Sequence, residues 1–113
     1  MASELTQLIK PIKFAGPLDV QRTFVQNATE GKAVTVTCEV TGDPSPKVVW
    51  QFKGKALPAV LENTTNSRFL PMANGLYIKN VSYLDEGVYQ CRAFQVTKLS
   101  SSMESRQITL IVQ

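Results

Sequence analysis

The chain has 113 residues, 43% of them hydrophobic, with a net charge of +3 and no histidine. That length suits one domain able to bury its own core. Its lysines and arginines are scattered rather than run together, which argues against a nucleic-acid partner and leaves a weak contact with polyanions such as heparan sulfate as the alternative to a plain solvated surface. No apolar run reaches the roughly 18 residues of a membrane-spanning helix, so any membrane contact is expected through a region outside this sequence.

Residues 1–10 carry no basic start followed by an apolar stretch, and so no signal peptide. Met1-Ala2-Ser3 reads as a cloning remnant and Leu5 to Lys10 as the tail of a preceding domain with its linker, leaving residues 11–113 as a single domain. Ile12-Lys13-Phe14 and Val20 to Val25 read as two pieces of one edge strand, broken at Gly16-Pro17. Val34, Val36, Cys38 and Val40 alternate with Thr35, Thr37, Glu39 and Thr41, the period of a strand with one face buried and one wet. Gly42-Asp43-Pro44-Ser45-Pro46 then breaks the chain. Val48 to Phe52 forms the next strand, with Val48, Trp50 and Phe52 on one face and a turn at Gly54.

Between Ala56 and Ser67 the pattern gives way to a polar loop with room for one short edge strand. Arg68-Phe69-Leu70 and Leu76 to Lys79 are strands joined by the turn signal Asn74-Gly75. Gly87 to Val96 alternates again, Lys98 to Ser102 is a hairpin tip, and Arg106 to Val112 is the last strand. No segment holds a helical period over three turns, and the short, regularly spaced strands predict an all-β sandwich or barrel.

The two cysteines, 53 residues apart, fit either free buried thiols or one bridge, and spacing alone does not choose. Their surroundings do. Cys38, Trp50 twelve residues on, and Asp85-Glu86-Gly87-Val88-Tyr89-Gln90-Cys91 resemble the core of the immunoglobulin superfamily. The resemblance implies a two-sheet antiparallel Greek-key sandwich with Cys38 bridged to Cys91 between the sheets and Trp50 packed on the sulfurs. It also implies a tyrosine corner at Tyr89, and an Arg68–Asp85 pair that is structural rather than acid–base. Such a bridge contributes about 4 kcal/mol on the chain-entropy view; the alternative is a reduced thiol pair, as in cytosolic muscle domains of this type. With both cysteines so used and no GxGxxG or phosphate loop, no catalytic, cofactor or metal site is expected, and the chain is not expected to be an enzyme.

Gly42-Asp43-Pro44-Ser45-Pro46-Lys47-Val48-Val49-Trp50 is similar to the intermediate set of that superfamily, and about 15 residues from Lys53 to Arg68 leave little room for the extra strands of a variable domain. Asn74 to Val81 together with Asp85-Glu86-Gly87 and the long final hairpin resemble the second immunoglobulin domain of the neural cell adhesion molecule and fasciclin II group. That group's vertebrate members carry a basic heparin-binding stretch after the third strand. Here only Lys53 and Lys55 stand there, ahead of uncharged residues and Glu62, so any glycosaminoglycan contact is expected to be weak.

The resemblance implies an extracellular or cell-surface adhesion module that binds itself or other immunoglobulin-type proteins, with a neuronal setting. A ligand-binding ectodomain or secreted protein for a growth or guidance factor is the second reading, and a structural domain of an intracellular muscle protein the third. Three N-x-S/T acceptors, at Asn27, Asn63 and Asn80, favour passage through the secretory route, with Asn80 the most hindered by its place near the corner. The outward phases place Val49, Gln51 and Lys53 beside Gln90, Arg92, Phe94 and Val96, with Ile111 outward on the last strand. Val49, Gln51, Arg92, Phe94 and Val96 are thus the candidate partner surface, unless a neighbouring domain or the hairpin covers Phe94.

Overall fold

The computed structural model describes residues 9–14, 24–57 and 68–113. Among these residues the strands follow in order: β1 Lys10–Phe14, β2 Phe24–Ala28, β3 Val34–Thr37, β4 Val40–Asp43, β5 Lys47–Phe52, β6 Lys55–Leu57, β7 Phe69–Met72, β8 Gly75–Ile78, β9 Gly87–Val96 and β10 Ser101–Val112, with a turn of 3-10 helix at Tyr83–Asp85 before β9. One sheet has the order β2-β10-β9-β5-β6. Against it lie β3-β8-β7 and the pair β1-β4, which chain continuity through Cys38-Glu39 joins into a second layer. Between the layers sits the core: Val36, Cys38, Trp50, Leu76, Ile78, Tyr89, Cys91, Ile108 and Leu110 are all at most 2% exposed.

Alternation builds this core directly. In β9 the inward phase Tyr89, Cys91, Ala93 and Gln95 is buried while Val88, Phe94 and Val96 are exposed. The inward side is apolar from Tyr89 to Ala93 and ends on Gln95, whereas the outward side mixes Gln90 and Arg92 with Val88, Phe94 and Val96, so only one register against the opposite layer buries the apolar side.

Five expectations need correction. The two pieces of the first strand do not form one edge: β1 pairs antiparallel with β4 in one layer, whereas β2 pairs with β10 in the other. The β2–β10 pairing is parallel, because a strand that switches sheets runs alongside the last strand in the same direction, so the sandwich is not wholly antiparallel. Lys10, assigned above to the leader, opens β1 opposite Asp43. Gly42 and Asp43 do not break the chain but end β4, since β1 supplies an edge partner as far as Asp43; the break falls at Pro44, which lacks an N–H. Val48, expected beside Trp50 on the buried face, is 37% exposed because it borders a cavity of about 580 Å³ lined also by Val40, Pro46, Trp50, Pro71 and Met72.

Side chains stitch the switching strands to both layers. The Gln26 Nε2 donates to the Thr35 carbonyl at 3.0 Å while its Oε1 accepts from the Thr37 N–H at 2.7 Å, tying β2 to β3 across the sandwich. Gln95, 4% exposed, donates through Nε2 to the Lys10 and Pro44 carbonyls at 2.8 and 3.0 Å. The Arg106 guanidinium lies over both Phe14 and Phe24, 4.8 and 4.0 Å from the ring centroids, and so grips the end of β1 and the start of β2.

Candidate recognition surface

The inward residues hold the surface in place. Cys38 and Cys91 are bonded, Sγ–Sγ 2.03 Å, and Trp50 sits in register with Cys91 on the neighbouring strand. At the lower end, Arg68 makes a two-pronged contact with Asp85 at 2.9 and 3.0 Å and also donates to the Lys79 and Asn80 carbonyls at 3.2 Å. The Ser82 N–H adds a 2.8 Å bond to the Asp85 carboxylate, the Leu84 N–H donates to the Ser82 hydroxyl, and the helical turn starts with both ends capped. Burial of Asp85 opposes its ionisation, but the Arg68 guanidinium and the Ser82 N–H outweigh it and hold the carboxyl below the ordinary aspartate range. The bond to Asp85 in turn raises the Arg68 guanidinium further above neutrality. Burial pushes the Tyr89 hydroxyl up, so it stays a donor to the Asp85 carbonyl at 2.6 Å. These groups form one hydrogen-bonded network at this end of the sandwich.

The outer face of the five-stranded sheet carries the predicted surface residues together. Val49 is in register with Arg92, and Gln51 with Gln90, across β5–β9; Phe94 and Val96 continue the outward phase of β9. Val49, Phe94 and Val96 are 41%, 36% and 68% exposed. Lys53 does not join them: it lies in the β5–β6 turn at φ 53° with its Nζ over the Phe52 ring. Two members of the face were not foreseen. Met103, 48% exposed, stands opposite Phe94 on β10, and Lys47 flanks Phe94 from β5. Counting back by twos from Ile111 reaches Met103, but its polar neighbours Ser101, Ser102, Glu104 and Ser105 hide the strand.

At the upper end of this face the β9–β10 turn is pinned by one side chain. The Thr97 Oγ1 accepts from the Leu99 and Ser100 N–H groups at 3.2 and 3.0 Å, while the Thr97 N–H donates to the Ser100 carbonyl at 2.8 Å. The turn presents Leu99 at 93% exposure. Of the sequons, Asn27 is exposed on β2 beside Ile111, about 26 Å along β10 from Met103 at 3.3 Å per residue. Asn80 is exposed at φ 45°, without the crowding expected from the corner. Asn63 lies outside the described residues. Among the described residues no cluster of His, Cys, Asp or Glu could hold a metal ion, and no helix is long and apolar enough to cross a membrane.

A two-layer sandwich with a bridged cysteine pair, a buried tryptophan and a tyrosine corner is the immunoglobulin arrangement. The family model for the immunoglobulin domain matches residues 19–94, and the chain belongs to that family. Its relatives include hemolin of Hyalophora cecropia, 42% identical over 64 residues (57% of this chain, 14% of hemolin). They also include human Roundabout homolog 3, 38% identical over 78 residues (68% and 5%), and the human cell adhesion molecule DSCAM, 39% over 69 residues (59% and 3%). The chain thus spans a small part of these proteins. Among solved structures, insect hemolin, described with implications for homophilic adhesion, superposes with a TM-score of 0.61 at 28% identity, covering 90% of this chain and 22% of that one. Titin domain M7 gives a TM-score of 0.68 at 19% identity, covering 95% and 98%, a likeness of fold.

Proposed function

We propose that this domain is an extracellular protein-recognition module of a cell adhesion molecule, of the neural cell adhesion molecule and fasciclin II type, and that it binds immunoglobulin-type surface proteins through the outer face of its five-stranded sheet. The observation that carries this is the exposed apolar patch of Val49, Phe94, Met103 and Val96 on the outer face of the sheet. The relative named as a cell adhesion molecule supports the class. The bridged cysteines and the exposed Asn27 support an oxidising, secretory route over an intracellular muscle role. A glycan on Asn27 would stand at the far end of the face and leave Phe94 open.

The test uses fluorescent tetramers of the chain, applied to cells that each display one member of a panel of immunoglobulin-type surface proteins. Wild-type tetramers are expected to stain at least one member, and Phe94→Asp tetramers of unchanged melting temperature to stain none. Equal staining by both would remove the sheet face from the account.

A further inference from the structure

We infer that the partner of this face is an acidic protein surface, with carboxylates set around an apolar centre, and that two copies of this chain do not pair through it face to face. The inference rests on the sheet face being the recognition surface, as proposed above. Phe94 lies in a row with Lys47 on one side and Met103 on the other. In the next outward row Arg92 lies between Val49 and Ser105. Val49, Phe94 and Met103 are each more than a third exposed, so the two rows together offer apolar surface with Lys47 and Arg92 set beside it.

No carboxylate among the described residues answers them. Among the described residues of β5, β9 and β10, no Asp or Glu occupies an outward position: Glu104 falls on the opposite phase, in register with the buried Ala93. No ion pair involves Lys47 or Arg92 among the described residues. The Arg92 Nε is sealed from solvent without a hydrogen-bond acceptor. Arg92 is therefore held by packing and not by an internal acid, unlike Arg68, whose guanidinium is fully engaged by Asp85 and backbone carbonyls.

A twofold dimer through this face would set Lys47 and Arg92 against a surface that offers the same two cations and no acid. Burying like charges without a counter-charge opposes such pairing even where the apolar row would favour it. A sulfated polysaccharide would answer the cations but leave Phe94 and Met103 against a polar chain. An apolar centre ringed by opposite charge fits a protein interface.

The charge-reversed form of this domain, Lys47→Glu/Arg92→Glu, is a defined acidic-faced probe with the same apolar row. Added unlabelled to the 15N-labelled wild-type chain, it is expected to shift the amides of Val49, Arg92, Phe94 and Met103, with shifts that weaken several-fold as salt is raised and vanish when the labelled chain carries Phe94→Asp. Should circular dichroism show the double variant unfolded, Lys47→Glu alone, at an exposed position, serves as probe. Wild-type chain alone is expected to show no concentration-dependent shifts at these residues. Self-association at them would overturn the inference while sparing the sheet face as recognition surface. Absence of any response to the acidic probe would also overturn it. So would a heparin oligosaccharide that shifts Lys47 and Arg92 equally in wild type and Phe94→Asp.

Discussion

The Tyr89 hydroxyl reaches the Asp85 carbonyl at 2.6 Å while the Asp85 carboxylate holds Arg68, so one residue anchors β9 through its backbone and β7 through its side chain. Tyr89 is fully buried and its ring stacks on Phe52 at 4.1 Å between centroids. Replacement by phenylalanine keeps that stacking and removes only the hydroxyl. Tyr89→Phe is expected to lose about 1–2 kcal/mol, the cost of a buried carbonyl left without its donor, measured by urea unfolding with an unchanged slope.

The Arg68–Asp85 pair sets an acid limit. Asp85 titrates lower in the folded chain than its ordinary 3.8. The stability this confers is complete above the unfolded-state value and is lost as pH falls through the folded one. Melting temperature is therefore expected to be insensitive to this pair above about pH 5 and to fall below about pH 4. Arg68→Ala should cost about 2 kcal/mol at neutral pH, less than a fully buried pair because Arg68 is 36% exposed. Its penalty should shrink in acid. A penalty independent of pH would show that Asp85 is not held ionised by Arg68.

Gly75 opens β8 at φ 153°, and a Cβ there would collide with the Val36 carbonyl on the paired strand. Gly75→Ala is expected to cost about 3 kcal/mol, through overpacking against backbone that cannot yield, read as a lowered melting temperature. Gly54, whose added Cβ meets nothing, is the control for a glycine at positive φ without a clash.

Much of the fold is legible in the sequence, and what is not has a physical cause. Cys38, Trp50, Tyr89 and Cys91 stand on inward phases of the alternation, and their likeness to the immunoglobulin core supplied the roles that alternation alone left open. The sheet switch between Phe14 and Phe24 left no such trace, because both segments carry the same alternation whichever layer they join. Gln26 and Gln95 point inward and bond across the layers, yet a glutamine reads as surface in any hydropathy pattern. On the outer face of the five-stranded sheet, Phe94 and Val96 showed as apolar residues on an outward phase, whereas Met103 was screened by serines and Lys47 by the prolines before it.

The Thr97 side chain predicts a rigid β9–β10 tip. Thr97→Val keeps the shape and removes the oxygen that receives two N–H groups. Amide exchange at Leu99 and Ser100 is expected to accelerate about tenfold, corresponding to roughly 1.4 kcal/mol, with the melting temperature little changed.

The account turns on which surface recognises. Binding of chain tetramers to cells displaying immunoglobulin-type surface proteins should be titrated for wild type, Phe94→Asp on the five-stranded sheet, and Leu70→Asp on β7 of the other layer, where Leu70 is 54% exposed against 36% for Phe94. The predicted result is a loss of at least ~10-fold for Phe94→Asp, the scale of a buried aromatic anchor, with Leu70→Asp matching wild type. Full binding by Phe94→Asp with loss in Leu70→Asp would contradict it and move recognition to the opposite layer.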